Sequence, residues 1–526
     1  PIKSSAASDV YKRQIMKKYI ISAFALFTLF TTSGCQDWLD VNHDPNVLEE
    51  IPDGKVLLPA AEVNLGNSLM GWDFGFAGGF WSEYWTQKYM ASQFKSICEY
   101  TETSFSTAYS NLTAGVLKDL KEIKTVAEES GNTGNYFVAE ALSIYTWQIL
   151  TDVWGSIPYS EALQGAEGIV SPKFDAGEEI YADLMARVDA LLQTDLDGAQ
   201  IDGEYDFIYG GDLGKWQLFA NSLKLKLMMR LSETSGYNNA TVVSFVDNNA
   251  FLTQSACIPG SYWSDGQEGK RHPMREFEAG GAGYLTTNVI ACKNFLDYLA
   301  NNNDPRLDRL FKIADTKTGW RGAFFGDFDS KEASDGSTSD DQVKYCTIRF
   351  TGDMDLMIMS NWEVCFFMAE AYARAGRHAD AKAAYEQGVK ASLSQHGISD
   401  HSILDDGYAA WKDGTVEEEI KQIAMQKWVA NANYQHIESF LERNRVKYPA
   451  IYDVDIKMDR PGAYADLKIV GNLTVSVKGR ARLNNSLPAS PIYPTSILTT
   501  NENSPEQKQN IGEKVWWNQK KEVIIK

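Results

Sequence analysis

Cysteine and histidine are scarce in this chain of 526 residues, which has six of each. No two cysteines form a CxxC pair, and the five that follow Cys35 are an odd number. The histidines are scattered, without the spacing of metal ligands. We therefore expect neither a disulfide framework nor a metal site, and no cofactor.

Basic residues are also few relative to acidic ones. The chain has 50 Lys and Arg against 70 Asp and Glu, for a formal net charge of −20. Phosphate contacts need clustered Lys and Arg, so this balance argues against a nucleic-acid partner. Gly and Pro together make up about a tenth of the chain, which excludes collagen-like and low-complexity classes.

The common catalytic motifs are missing. The sequence contains no H-E-x-x-H, no G-x-S-x-G and no Walker loop. We therefore assign no catalytic residues and expect a protein that is not an enzyme. A glycoside hydrolase needs only two suitably spaced carboxylates, so it remains a remote alternative that inspection of this acidic sequence does not exclude.

The chain lacks an apolar run long enough to cross a membrane near its beginning. Lys17 and Lys18 precede the apolar stretch Tyr19–Phe30, which is shorter than the ~20 residues of a spanning helix. Small residues and Cys35 follow it, as at the cleavage site of a signal peptide. We interpret residues 1–15 as upstream read-through without structural meaning, residues 16–34 as the signal peptide and residues 35–51 as a polar tether.

The cleavage site itself resembles a bacterial lipobox. Ser33-Gly34-Cys35 has the small residues and the thiol of that motif, although Thr32 stands where Leu is usual. The resemblance implies that Cys35 is lipidated and anchors an otherwise soluble protein, since several acyl chains hold a protein on a membrane.

Helical periodicity dominates the remainder of the chain. The strongest patterns predict helices over Tyr136–Leu150, Glu178–Gln193, Lys215–Leu231, Asn288–Ala300, Asn361–Ala375, Asp380–Leu393, Val416–Val429 and Tyr434–Arg443. Alternation in Leu473–Val477 predicts a short strand, and Gly-, Asp- and Ser-rich stretches predict long loops or hairpins. The fold class is therefore mainly α, with long irregular loops and minor β hairpins.

One segment has the signature of a tetratricopeptide pair, a hairpin of two helices. Within residues 361–394, small and aromatic side chains recur at the required spacing, namely Ala369, Tyr372, Gly376, Ala381 and Tyr385. Gly388 departs from the pattern, which has Ala there. We expect a helical-repeat scaffold in which residues 52–526 form a single domain.

Several motifs in order resemble the SusD/RagB family of Bacteroidetes outer-membrane lipoproteins. They are Cys35–Asp40, NHDPN at Asn42–Asn46, Asp152–Ala162, Ser171–Asp175, Trp216–Lys224, Asp304–Leu307 and Glu363–Gly376. Their order from Cys35 onward carries the resemblance, because no single motif is decisive.

The resemblance implies a fold and a function. Family members have a tetratricopeptide-like scaffold and lie at the cell surface over a SusC-like, TonB-dependent transporter. They capture oligosaccharides, or peptides in some members, and deliver them to that transporter without chemistry on the ligand. We therefore expect an oligosaccharide ligand, with a peptide binder of the same family as the main alternative.

Aromatic residues next to glycine-rich loops are the candidate ligand contacts, because sugars pack on flat apolar faces. Trp81, Trp85 and Tyr89 are spaced as one helix face, for which burial is the simpler interpretation at Trp85 and Tyr89. Trp residues beside Gly and charged residues in loops are the other source. The candidate glycan contacts are Trp72, Trp81, Trp263, Trp320 and Arg321.

Overall fold

Helices follow one another along most of the chain in the computed structural model, which describes residues 55–88, 91–278, 283–314, 316–317, 319–327, 345–458 and 460–526. In the first half they are α1 (Leu58–Leu69), α2 (Ala77–Trp81), α3 (Lys95–Cys98), α4 (Ser106–Ser110), α5 (Lys118–Ser130), α6 (Thr133–Trp154), α7 (Gly177–Leu192), α8 (Leu213–Arg230) and α9 (Asn239–Asn248). Those that follow are α10 (Pro273–Glu276), α11 (Tyr284–Asn288), α12 (Lys293–Asn301), α13 (Leu307–Leu310), α14 (Asn361–Arg374), α15 (His378–Gln395), α16 (Val416–Asn431), α17 (His436–Val446), α18 (Arg460–Ala465) and α19 (Thr495–Thr500).

The strands are short and pair only two at a time among the described residues. Antiparallel pairs join β1 (Trp85–Gln87) to β5 (Val289–Ala291), β2 (Ile157–Pro158) to β3 (Phe174–Asp175), β4 (Ala256–Ile258) to β8 (Leu356–Met359) and β6 (Phe311–Lys312) to β7 (Thr347–Ile348). A parallel pair joins β9 (Ile451–Tyr452) to β10 (Ile524–Ile525). The prediction of a mainly α fold with minor β hairpins is confirmed.

Polar side chains cap the N-termini of several long helices. Asn132 accepts a hydrogen bond from the backbone N–H of Asn135 at the start of α6, and Asp212 accepts one from Lys215 at the start of α8. At α16, Thr415 and Glu418 form a reciprocal capping box. Each cap satisfies N–H groups that the first helical turn leaves without partners.

The tetratricopeptide-like pair is α14 and α15. A short turn at residues 375–377 joins them, with Gly376 at a positive φ of 70°. Buried alanines let the helices approach, and a Cβ at Gly388 would lie 2.8 Å from the Phe366 ring. The departure from Ala at this position therefore has a packing cause: the Phe366 ring occupies the space of the missing methyl group.

Further helices pack in sequence order before this pair. Helices α5 and α6, α6 and α7, and α7 and α8 are neighbours, and α14, α16 and α17 continue the stack. Nearly every residue of α6 from Phe137 onward is buried, so its apolar side chains contact neighbours all round. This helix lies in the main core.

A buried ion network joins five of these helices. Arg230 contacts Asp152 at 2.8 Å, Glu438 at 2.6 Å and Glu442 at 2.7 Å. Further contacts link Lys226 to Glu363 and Glu438, Lys427 to Glu442, and Arg445 to Glu370 and Glu442. Charges this far from water persist only when paired.

The C-terminal segment covers one side of this network. The buried ring of Trp517 lies 5.1 Å from the Arg230 guanidinium, and its Nε1 donates to the Asp152 carbonyl at 3.2 Å. Residues from 53 to 526 form one compact unit. Within the described part of this unit, no helix is both long and apolar enough to span a bilayer.

The predicted helices are confirmed in the main, and three local predictions are wrong. Asn288–Ala300 divides into β5 and α12, because Val289–Ala291 pairs with β1. The helix through Trp81 ends there, and Trp85 lies in β1. Leu473–Val477 forms only an isolated bridge, from Leu473 to Ile451. Tyr89 and residues 1–54, with the proposed signal peptide and tether, lie outside the described residues.

Candidate functional site

A cleft of about 410 Å³ opens between three stretches of the chain, residues 63–73, 107–111 and 263–277. Its walls include Trp72, Asp73, Asn111, Trp263, Arg271 and Phe277, and we refer to it as the Trp72–Trp263 cleft. The two tryptophans are 191 positions apart in sequence, so tertiary structure alone brings them together. The size is in the range of small-molecule sites.

Two π-helical turns shape one side of the cleft. The first spans Trp72–Phe76, and the second spans Asn111–Leu117 between α4 and α5. Such wide turns are rare and are frequent at functional sites, since the extra residue re-aims neighbouring side chains. A Cβ at Gly71 would lie 2.1 Å from the Asn67 carbonyl oxygen, so the entry to the first turn requires glycine.

The Trp72 ring belongs to an aromatic cluster at the base of the cleft. Its centroid lies 5.4 Å from those of Phe76 and Phe94 and 5.1 Å from that of Phe277. Trp72 is half-buried, so these rings hold the indole in place while leaving part of it accessible.

Trp263 supplies the second indole of the cleft. The residue is half-buried, yet its Nε1 is shielded from solvent and has no hydrogen-bond partner. The neighbouring His272 is buried, which lowers its pKa to about 3, and its Nδ1 accepts the Met274 N–H. The neutral imidazole lies 5.8 Å from the Trp263 ring and fixes one of its sides.

Polar groups complete the cleft. Asp73 Oδ2 accepts the Ala108 N–H at 2.8 Å, and burial raises the pKa of this carboxyl. Arg271 contacts Glu276 at 3.1 Å, and its Nε donates to the Asp265 carbonyl at 2.8 Å. The cleft therefore presents a fixed cation and an acid close to the aromatic surfaces.

Trp81 does not reach this cleft. Its side chain is 4% exposed, packs against Phe105 and Phe440, and donates from Nε1 to the Ile97 carbonyl at 3.3 Å. The expectation of an accessible indole at Trp81 is wrong, because α2 turns that residue into the main core.

Trp320 and Arg321 do not line the cleft either. Trp320 is half-buried against the main core, and the Arg321 guanidinium lies 4.8 Å from the Tyr345 ring. The structure thus unites Trp72 with Trp263 and leaves the Trp320–Arg321 segment apart from them. Cys35 lies outside the described residues.

Sequence reasoning missed Asp73, Asn111 and Phe277 as cleft residues. The first two lie on π-helical turns, which periodicity does not reveal, and Phe277 has no distinguishing neighbour. Among the described residues, no group of three or more His, Cys, Asp or Glu side chains is placed to hold a metal ion.

The cleft combines aromatic side chains with a few polar groups on a helical-repeat scaffold. The chain belongs to the SusD-like family described as starch-binding associating with outer membrane, whose model matches residues 50–466. No curated protein matches it.

Solved structures show the same fold. A SusD homolog from Bacteroides uniformis ATCC 8492 is 22% identical with a TM-score of 0.68, over 88% of this chain and 99% of its own. One from Bacteroides thetaiotaomicron VPI-5482 is 20% identical with a TM-score of 0.66, over the same shares. A chitin-binding SusD homolog from Flavobacterium johnsoniae is 18% identical with a TM-score of 0.64, over 88% and 98%.

Proposed function

We propose that this protein binds oligosaccharides in the Trp72–Trp263 cleft. The observation that carries the proposal is the pair of half-buried indoles from distant parts of the chain that line one cleft. A pyranose has apolar C–H faces that pack on indoles, and hydroxyls that hydrogen-bond to polar groups such as Asp73 and Arg271 in the cleft wall.

Similar proteins support a glycan rather than another ligand. The family description names starch, and two proteins of similar structure are named as chitin-binding. At 18–20% identity these structures do not identify which glycan this chain takes. The proposal is therefore made at the level of oligosaccharides.

Delivery to a transporter is the second part of the proposal. We infer that Cys35 carries the lipid, that the protein lies on the outer membrane at the cell surface, and that it passes its ligand to a SusC-like, TonB-dependent partner. The family description places such proteins at the outer membrane. Replacing Cys35 with Ser should release the protein from the membrane fraction, and affinity purification of the anchored wild type should recover the transporter.

Binding of the ligand without any chemical change to it is the third part of the proposal. Both carboxylates of the cleft are engaged, Asp73 with the Ala108 N–H and Glu276 with Arg271 and the Gly269 N–H. A glycoside hydrolase needs one carboxyl available as an acid and another available as a base or nucleophile. Incubation with starch and chitin oligosaccharides should release no new reducing ends.

Calorimetry tests the binding proposal. A soluble chain that begins after Cys35 should bind one glycan class in a panel of polysaccharides. Trp72→Ala and Trp263→Ala should each weaken binding at least ~10-fold, about 1.4 kcal/mol. Trp320→Ala is the matched control, because it removes an indole that does not line the cleft.

The outcomes separate the alternatives. Binding lost in Trp72→Ala and Trp263→Ala but kept in Trp320→Ala assigns the ligand to the cleft. Loss in Trp320→Ala as well would extend the site to Trp320 and Arg321. Binding to a peptide digest and to no glycan would replace the oligosaccharide with a peptide, the alternative ligand within this family.

A further inference from the structure

Tyr262, the chain neighbour of Trp263, forms an aromatic pair with the half-buried Phe207. Tyr262 is 48% exposed, and its ring centroid lies 4.5 Å from that of Phe207, with 30° between the ring planes. The other large apolar side chains that are exposed in the described ranges are aliphatic. Tyr262 therefore offers a flat apolar face that none of those side chains offers.

The backbone holds this pair rigidly. Tyr262 ends a single 3₁₀ turn that begins at Gly260, where a Cβ would lie 1.9 Å from the Asp353 carbonyl oxygen. The Gly260 N–H donates to Asp355 Oδ1 at 2.9 Å, and the Tyr262 N–H to the Pro259 carbonyl at 3.0 Å. A platform that is ordered before binding loses little conformational entropy when a ligand arrives.

The backbone of Phe207 is hydrogen-bonded to α1, the helix that also supplies the cleft residue Val63. The Phe207 N–H donates to Glu62 Oε2 at 2.8 Å, and Glu62 is fully buried in α1. The next residue, Val63, lines the Trp72–Trp263 cleft. Tyr262 is likewise the chain neighbour of Trp263, so both members of the pair are tied to residues adjacent to the cleft.

We propose that the Tyr262–Phe207 pair is a second sugar-stacking subsite, which binds a pyranose ring of an oligosaccharide whose other end occupies the Trp72–Trp263 cleft. This inference rests on the proposed function. Trp263 has an extended backbone, with φ −93° and ψ 151°, so it continues away from the turn that presents Tyr262. A short sugar that fills the Trp72–Trp263 cleft leaves the Tyr262–Phe207 pair unoccupied, whereas a longer sugar contacts both sites.

The Tyr262–Phe207 pair should therefore strengthen the binding of long oligosaccharides and not of short ones. Calorimetry would compare maltose with maltohexaose and chitobiose with chitohexaose on the soluble chain. In the glycan series that binds, Tyr262→Ala should weaken the hexasaccharide ~10-fold, about 1.4 kcal/mol, and change the disaccharide less than about twofold. Tyr262→Phe keeps the ring and should bind both sugars as the wild type does.

Two controls test whether the effect is specific to Tyr262 and whether the variant is folded. Val170→Ser removes an exposed apolar side chain from another loop and should leave both affinities unchanged. Thermal unfolding should show Tyr262→Ala folded, because the change truncates an exposed side chain.

Each other outcome overturns the subsite. Equal weakening of disaccharide and hexasaccharide in Tyr262→Ala would mean that Tyr262 acts on the cleft itself. If Tyr262→Ala binds the hexasaccharide as the wild type does while Trp263→Ala has lost binding, the second subsite is contradicted and the proposed function is kept. A wild type that binds neither these four sugars nor any glycan of the polysaccharide panel would overturn both.

Discussion

Two carboxyl groups, Glu62 and Asp206, meet in the interior beside the cleft wall. Both are fully buried, and they lie close enough for the charge of Asp206 to raise the pKa of Glu62. Asp206 accepts four N–H groups, from Ile208, Tyr209, Gly211 and the Trp216 ring. Glu62 Oε1 has no N–H donor. The protonated form of Glu62 is favoured, because burial and the nearby Asp206 raise the pKa of its carboxyl.

The protonated state of Glu62 predicts different effects for two isosteric changes. Burial, and then the charge of Asp206, raises the pKa of Glu62 well above its ordinary 4.5. Glu62→Gln should therefore change the free energy of unfolding little, since an amide replaces the proton donor. Asp206→Asn should lower it by ~1–3 kcal/mol, because two of its acceptor sites become donors that face N–H groups. Urea unfolding measures both.

The same pair predicts a pH dependence with a definite sign. A raised pKa in the folded state means that the folded protein binds the proton more tightly than the unfolded chain. The Glu62 contribution to stability is therefore complete below pH 4.5 and decreases as pH rises toward its folded pKa. Glu62→Gln should lack this component. An identical pH profile in both proteins would contradict the assignment of the proton.

At the residue scale, the sequence indicated which tryptophans could contact a ligand, but not which of them are accessible in the folded protein. Trp72, Trp81 and Trp263 all flank glycines, but only Trp72 and Trp263 reach the cleft. What separates them is the end of α2 at Trp81, whose ring packs on Phe440 from a segment more than 350 residues later. Local sequence carries no information about so distant a neighbour.

Among the elements, the π-helical turns decide how the cleft is shaped. The turn Trp72–Phe76 aims Trp72 and Asp73 at the cleft, and Gly75 within it lies close to the preceding backbone. A Cβ at Gly75 would be 2.6 Å from the Met70 carbonyl oxygen, which is too close without a backbone shift. In the second turn, a Cβ at Gly115 would meet nothing nearer than 3.9 Å.

These two glycines form a matched test. Gly75→Ala should lower the free energy of unfolding by ~1–3 kcal/mol and weaken glycan binding, because the turn must move. Gly115→Ala should leave binding intact and raise stability by up to ~1 kcal/mol, since Ala favours helical backbone. Thermal unfolding and calorimetry on both variants check the prediction. Equal behaviour of the two variants would contradict it.

Long helices were predictable and short elements were not. Patterns over α6, α7, α8 and α14 extend across several turns, so periodicity located them. Val289–Ala291 looked helical because it continues into α12, yet it pairs with β1, some 200 residues earlier. Strands of two or three residues depend on such partners and carry too few positions for alternation to appear.

For the whole molecule, the buried ion network is the strongest constraint on the packing of the helices. Arg230→Met should lower the free energy of unfolding by ~3–5 kcal/mol, because Asp152, Glu438 and Glu442 lose their shared partner. Lys382→Met is the control. It removes a surface ion pair with Glu386 at 3.8 Å and should cost at most ~1 kcal/mol. Urea unfolding compares the two.

The network also predicts loss of stability in acid. Burial opposes ionisation of Glu438 and Glu370, but nearby cations outweigh it. Arg230 and Lys226 lower the pKa of Glu438 to about 2. Arg445 and Arg374 lower the pKa of Glu370 to about 2. Their contribution is present above pH 4.5 and lost as pH falls toward 2. Burial raises the pKa of Asp152 above its ordinary 3.8, so the contribution of this group has the opposite sign: it is present below pH 3.8 and is lost as pH rises. Stability that stays constant from pH 4.5 to 2 would contradict the network's role.

The position of Trp517 determines when the core can close. Its ring covers Arg230, so the central charges stay open to water until the segment around Trp517 has docked. Ribosomes and export channels deliver a chain from its N-terminus, and Trp517 follows every helix of the network. For an exported chain, the core could therefore close only after the Trp517 segment had crossed the membrane, and until then the protein would stay loose enough to pass through the channel.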